Sequence, residues 1–134
     1  MRAVELLVVE DNAGDVGLIR DALYYCSVPV RVHVAHDGEQ ALLMLSDPHP
    51  HVDLIILDLN IPKIPGTVLL RLWQAVQIPV IVFTSSQDPT ERDRCLSLGA
   101  NDFVSKPMDL QDFSEAVWKI VENWTAREGH AVNC

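Results

Sequence analysis

Four consecutive apolar residues, Leu54-Ile55-Ile56-Leu57, run directly into a carboxylate at Asp58, and no other feature limits the fold of this chain so tightly. A strand wetted on one side alternates apolar and polar residues, whereas an unbroken run fits a strand buried on both faces, as in a parallel sheet covered by helices. Open sheets of that kind place their ligands outside the carboxyl ends of the strands. Asp58 therefore stands at the mouth of the fold and is the candidate reactive group.

The rest of the chain supplies the partners such a strand needs. Val4 to Val9 reads as the first strand in chain order, also buried, and stops at Glu10-Asp11-Asn12. Val16, Ile19, Leu23 and Cys26 recur at helical spacing, with Asp15 available as a cap. Val30, Val32 and Val34 alternate with Arg31, His33 and Ala35, the pattern of an edge strand. Asp37-Gly38-Glu39-Gln40 resembles a capping box, with Ala41, Leu42 and Leu45 as the buried stripe. Asp47 to His51 closes that helix. Val68, Leu69, Leu72 and Trp73 predict a short helix after the loop Leu59 to Gly66. Ile78 to Phe83 is a further buried strand ending in Thr84. Asp88-Pro89-Thr90-Glu91 starts a helix that Gly99 terminates. A short strand, Asn101 to Val104, leads to Lys106-Pro107. The last helix starts at Asp109 and buries Phe113, Val117, Ile120, Val121 and Trp124, with Met108 and Phe113 at the spacing of a hydrophobic staple. Trp118 falls off that stripe, which makes it a candidate exposed contact. Residues 1–124 form one domain and 125–134 a frayed tail on this reading.

Strand and helix thus alternate throughout, which implies a doubly wound α/β fold. Placing the polar second strand at one edge and the short fifth at the other gives a five-stranded parallel sheet of order 2-1-3-4-5. The 134 residues suit a single domain, and 49% hydrophobic content is ordinary for one. A formal net charge of −9 opposes contact with nucleic acid or anionic lipid. No apolar run approaches the roughly 20 residues of a membrane span, and the start is too short and acidic for a signal peptide, so a cytoplasmic location is expected. Cys26, Cys95 and Cys134 are widely spaced and signal neither a disulfide framework nor a zinc site. Cys26 and Cys95 read as small buried hydrophobes. His49 and His51 read as exposed loop residues rather than a metal pair.

Parallel strands all end on the same side, so the residues that follow them become neighbours. Glu10 and Asp11, Asp58, Thr84 and Lys106 converge in this way. Three carboxylates so close repel one another and need a cation. Lys106 supplies one positive charge. A Mg²⁺ ion held by Glu10, Asp11, Asp58 and the backbone carbonyl of Asn60 would supply the remainder. A carboxylate beside Mg²⁺, an ammonium and a hydroxyl is suited to attack phosphorus, giving an aspartyl phosphate.

These motifs, with Pro62 and Gly66 after Asp58 and Leu98-Gly99-Ala100 before the last strand, resemble a two-component response-regulator receiver domain of the stand-alone, chemotaxis-regulator type. The likeness covers roughly residues 4–124. Val9-Glu10-Asp11-Asn12 with Asp15, Leu18 and Ile19 bears a weaker resemblance to receivers that partner bacterial phytochrome kinases. The resemblance implies a phosphoprotein of phosphorelay signal transduction rather than an enzyme with a separate substrate. Asp58 is then phosphorylated by a sensor histidine kinase or phosphotransfer protein in a Mg²⁺-dependent reaction. It implies Thr84 and Lys106 as phosphate-binding groups, and Thr84 and Phe103 as switch residues, the aromatic turning inward. It also implies a cis Lys106-Pro107 bond. Only about ten residues follow the last helix, so output is expected through partner binding, to a downstream protein or to a second copy across helix four, strand five and helix five. Departures from the family are Pro65 before Gly66, Ala13-Gly14 in place of a proline-containing turn, and the short third helix. A small phosphatase of the haloacid-dehalogenase type is the competing reading, but Asn60 stands where those enzymes want a second carboxylate.

Overall fold

The computed structural model describes residues 3–46, 51–125 and 134. Strands and helices alternate among them: β1 (Val4–Val9), α1 (Ala13–Leu23), β2 (Val30–Ala35), α2 (Gly38–Ser46), β3 (Leu54–Leu57), α3 (Gly66–Leu72), β4 (Val80–Thr84), α4 (Pro89–Ser97), β5 (Asp102–Ser105) and α5 (Leu110–Thr125). The sheet has the order β2-β1-β3-β4-β5, and every pairing is parallel. The expected doubly wound fold is therefore observed, with the valine-alternating strand at one edge and the short last strand at the other.

Alternation of side chains along the strands divides the interior in two. Leu6, Val8, Leu54, Ile56, Ile81 and Phe83 face α1 and α5, where Ile19, Leu23, Phe113, Val117 and Val121 meet them. Leu7, Val9, Ile55, Leu57 and Val82 face the other way, against Ala41, Leu69, Leu70, Trp73 and Cys95 of α2, α3 and α4. Such two-sided burial is why β3 tolerates no polar residue until Asp58. The register sets Val9 beside both Ala35 and Leu57, and Thr84 beside Ser105. The strand ends are thereby aligned at one rim.

Capping residues place the helices with few surprises. The Asp37 carboxylate accepts the Gln40 N–H at 2.8 Å, while the Gln40 side chain reaches back to the His36 N–H. Asp88 caps α4 through the Thr90 N–H at 2.9 Å, and Gly99 turns the chain out of α4 with φ +108.

Several sequence expectations need correction. Asn12, not Asp15, caps α1, its side chain accepting the Asp15 N–H. The buried face of α3 is Leu69, Leu70 and Trp73, while Val68 and Leu72 are exposed. Two overlapping helical stripes fit that segment, and the close seating of Gly66 on Leu59 accompanies the observed one. Met108 is fully exposed and makes no staple, because Phe113 turns inward onto Phe83, ring centroids 5.1 Å apart. Trp118 is no free contact residue: it packs half-buried on the core and donates its indole N–H to the Ala22 carbonyl at 2.7 Å. Cys26 lies beyond the end of α1 and is disulfide-bonded to Cys134, 108 positions away, so only Cys95 fits the reading of a free, buried thiol. Sequence spacing carries no information about so distant a pairing. Thr125 belongs to α5 and is buried, and the Cys134 N–H donates to Glu122. The expected closing turn around Asp47 to Pro50, with His49, and the tail from 126 to 133 lie outside the described residues. His51 is exposed, as expected, and its ring meets the buried Asp53 carboxylate.

Two glycines separate packing from propensity. A methyl group on Gly38 would lie 2.6 Å from the Ile64 carbonyl oxygen, whereas one on Gly17 meets nothing within 4 Å. Gly38→Ala is expected to lower unfolding free energy by about 1–3 kcal/mol, and Gly17→Ala, in a helix interior, to raise it by about 0.5–1 kcal/mol. Urea titration of both variants checks the opposite signs, and equal effects would contradict this packing.

Candidate functional site

The rim is built one residue beyond the strands. Glu10 and Asp58 extend β1 and β3, their N–H groups donating to Ala35 and Val9 carbonyls at 3.0 Å each. Both carboxylates are thus carried on backbone locked into the sheet. Glu10 is 2% exposed and Asp58 7%. Lys106 follows β5, with its own N–H on the Thr84 carbonyl at 2.6 Å. Its side chain crosses the rim, and its ammonium lies 2.5 Å from Glu10 Oε1, 2.9 Å from Asp58 Oδ2 and 2.8 Å from Asp15 Oδ2. The second Asp58 oxygen, Oδ1, accepts the Asn60 N–H at 3.1 Å.

Burial pushes the Glu10 carboxyl up to about 7; its hydrogen bond to Lys106 opposes that rise, and nearby Asp58 adds to it. Burial by itself would depress the Lys106 ammonium. Hydrogen bonds to Asp15, Glu10 and Asp58 outweigh it and hold the pKa above that of an ordinary lysine. The cluster holds one cation against three acids, so negative charge is in excess.

The other expected residues are placed less uniformly. Thr84 is wholly buried at the end of β4, and its hydroxyl accepts the Ser86 N–H at 3.4 Å. The Ser105 hydroxyl donates to the Ser86 carbonyl at 2.9 Å, tying the loops after β4 and β5 together. Asp11 and Asn60 are exposed at the rim. Phe103 already faces the core, 5% exposed, and its carbonyl accepts from Arg92 of α4 at 2.8 Å. Asp15 is the functional contact that sequence reading missed, because a carboxylate in the first turn of a helix reads as a cap. Its position on the inner side of α1, one residue before buried Val16, was the available signal.

With this geometry in view, comparison with known proteins is decisive. A family profile described as "Response regulator receiver domain" matches residues 6–118. The chain belongs to the response-regulator receiver family. This receiver is 34% identical over 127 residues to the transcriptional regulatory protein CpxR of Klebsiella pneumoniae, and 33% identical to CpxR of Escherichia coli; each match covers 92% of this chain and 53% of the relative. It spans about half the length of these curated relatives. Among solved structures, the phosphorylated cyanobacterial phytochrome response regulator RcpA superposes with a TM-score of 0.87 at 30% identity, over 94% of this chain and 96% of that one. The Mn²⁺-bound response regulator Rcp1 gives 0.83 at 27% identity, over 91% and 94%. The expected likeness to phytochrome-partner receivers is thus found. No described helix is long and apolar enough to cross a membrane.

Proteins of this family are phosphoacceptor switches that bind Mg²⁺. The donors here suit a hard cation: Glu10, Asp58 and Asp11 offer carboxylate oxygens at a rim with excess negative charge. Among the described residues, however, no group of three acidic, histidine or cysteine side chains is arranged to hold a metal ion. The Lys106 ammonium occupies the space between Glu10 and Asp58 instead. Lys106→Ala leaves those acids without their cation. It is expected to cost about 3–5 kcal/mol of stability at pH 7.5 and clearly less at pH 5, where the Glu10 carboxyl, pushed up to about 7, is protonated. Urea unfolding at the two pH values tests this, and an equal loss at both would show that lost packing, not charge, is responsible.

Proposed function

We propose that Asp58 is the phosphoacceptor of this receiver, taking a phosphoryl group from a phosphohistidine of a sensor histidine kinase or phosphotransfer protein. The observation that carries this reading is the convergence of three acids, Glu10, Asp15 and Asp58, on the Lys106 ammonium at the carboxyl end of the sheet. An Asp58 carboxylate oxygen attacks phosphorus in line, the P–N bond breaks, and the imidazole leaves and takes a proton. Lys106 is within reach to exchange its Asp58 contact for a phosphoryl oxygen, and the Thr84 hydroxyl is the second donor. Glu10, Asp11, Asp58 and the Asn60 carbonyl would hold Mg²⁺. When bound, the ion supplies positive charge against the phosphoryl oxygens and the acids beneath them.

The switch passes from Thr84 along β4 and β5. Thr84 and Ser105 are neighbours in the register, and Phe103 lies two residues before Ser105 with its carbonyl on α4 through Arg92. Movement of the Thr84 hydroxyl toward a phosphoryl oxygen is therefore felt at the α4–β5–α5 surface. A groove of about 460 Å³ there is lined by Asp102, Val104, Lys119, Ile120 and Trp124. That surface is the proposed docking face for a downstream protein or a second copy of the chain. The acidity of the chain argues against nucleic acid and anionic membrane as direct ligands.

Incubation with acetyl phosphate and Mg²⁺ is expected to add one phosphoryl group by intact-mass analysis. Asp58→Asn, or chelation of the metal, should abolish the gain. Light scattering of the same phosphorylated sample should then report a dimer. Labelling that survives Asp58→Asn would contradict the assignment of the acceptor, and a monomer in both states would remove the second copy as a partner.

A further inference from the structure

Asp15 belongs to no strand end, yet it provides one of the three bonds to the Lys106 ammonium. We propose that Asp15 is a positioning residue for phosphoryl transfer, tethering Lys106 at the rim while its other two contacts change; this rests on Asp58 being the phosphoacceptor. An ammonium has three N–H donors, and here Glu10, Asp15 and Asp58 engage them at 2.5, 2.8 and 2.9 Å. Two of those acceptors are reacting parts of the proposed chemistry. Asp58 becomes an acyl phosphate and loses charge on its own oxygens, and Glu10 is a metal ligand on that reading. Asp15 is neither. Its bond to Lys106 is the one that needs no rearrangement when phosphorus arrives.

The placement of Asp15 suits a fixed tether. Its N–H is held at 3.0 Å by the Asn12 cap, so the residue sits on the first turn of α1 rather than on a loop. Val16, next in sequence, is buried, and Ile19 one turn on is in the core beneath α1. The carboxylate is therefore aimed from a rigid helix at a lysine carried on a different element. Lys106 has four flexible side-chain bonds and ordinarily spreads over many rotamers. Holding its tip at one point lowers the entropy lost when it meets a phosphoryl oxygen, and geometric placement of this kind is worth large factors in rate. Asp15 also borders the pocket beside Lys106 that Leu18, Ser85, Pro107 and Phe113 line, so removing its carboxylate would open space for the lysine to swing away.

The test compares wild type with Asp15→Ala, Asp15→Asn and Asp15→Glu, at saturating Mg²⁺ with acetyl phosphate as donor. The first-order rate constant for Asp58 phosphorylation is expected to fall about 10- to 100-fold in Asp15→Ala, less in Asp15→Asn, which keeps an acceptor oxygen, and to be partly restored in Asp15→Glu. Heteronuclear NMR of the side-chain ammonium, with Mg²⁺ present, is the second readout. The Lys106 signal, sharp when the group is tethered, is expected to broaden or vanish in Asp15→Ala while the unfolding midpoint stays put. An unchanged or faster rate overturns the proposal, as does a slower rate with an intact Lys106 signal. If Asp15→Ala does not fold, Asp15→Asn carries the same comparison. Wild type that takes up no phosphoryl group refutes the phosphoacceptor reading itself, whereas wild type that reacts normally beside an equally reactive Asp15→Ala refutes only the tether.

Discussion

One ammonium surrounded by three carboxylates is the interaction on which this structure turns. Lys106, 9% exposed by its side chain, neutralises acids delivered by β1, β3 and α1. Such a cluster is costly in a dry interior, where a charge without its partner loses several kcal/mol. At the carboxyl end of a parallel sheet it is half-way to water, and the excess negative charge gives a reason for a divalent cation to enter. The same feature fixes the Asp58 side chain from both oxygens, Oδ2 on the Lys106 ammonium and Oδ1 on the Asn60 N–H.

The two-layer core is what makes that rim precise. Apolar side chains alternate up and down through β1, β3 and β4, so the strands cannot slip by one residue without turning their inward faces outward. Register and rim are therefore coupled. Glu10 and Asp58 are adjacent because Val9 pairs with Leu57, and Lys106 reaches them because its N–H continues the pairing of Thr84 and Ser105. Loops carry the remaining groups, and those loops are tied down locally, as by Gly38 on the Pro62 carbonyl and Ser105 on Ser86.

This explains which parts were legible in the sequence. Burial on both faces leaves a strong pattern, and parallel order turns a list of strand-terminal residues into a spatial cluster. Asp58, Glu10 and Lys106 could be brought together on that logic alone. Helix faces were less legible. In α3 two apolar stripes overlap, and only packing of the Gly66 turn distinguishes Leu69, Leu70 and Trp73 from Val68 and Leu72. Met108 and Trp118 were misread because a local spacing rule cannot register where the opposing helix stands: Phe113 turns to Phe83, and Trp118 finds a carbonyl on α1. Asp15 was hidden for the converse reason. A helix start explains an acidic residue so readily that its second role draws no notice until Lys106 arrives from the far end of the chain. The Cys26–Cys134 bond is invisible to any local pattern.

The central claim is that these far-separated groups make one carboxylate, and only that one, reactive toward phosphorus. Borohydride reduction after phosphorylation addresses it directly, since it converts an acyl phosphate of aspartate to homoserine at the modified position. Peptide sequencing is predicted to find homoserine at position 58 alone. Homoserine at position 11 or 15, a reduced glutamate at position 10, or no reduced residue at all would contradict the account.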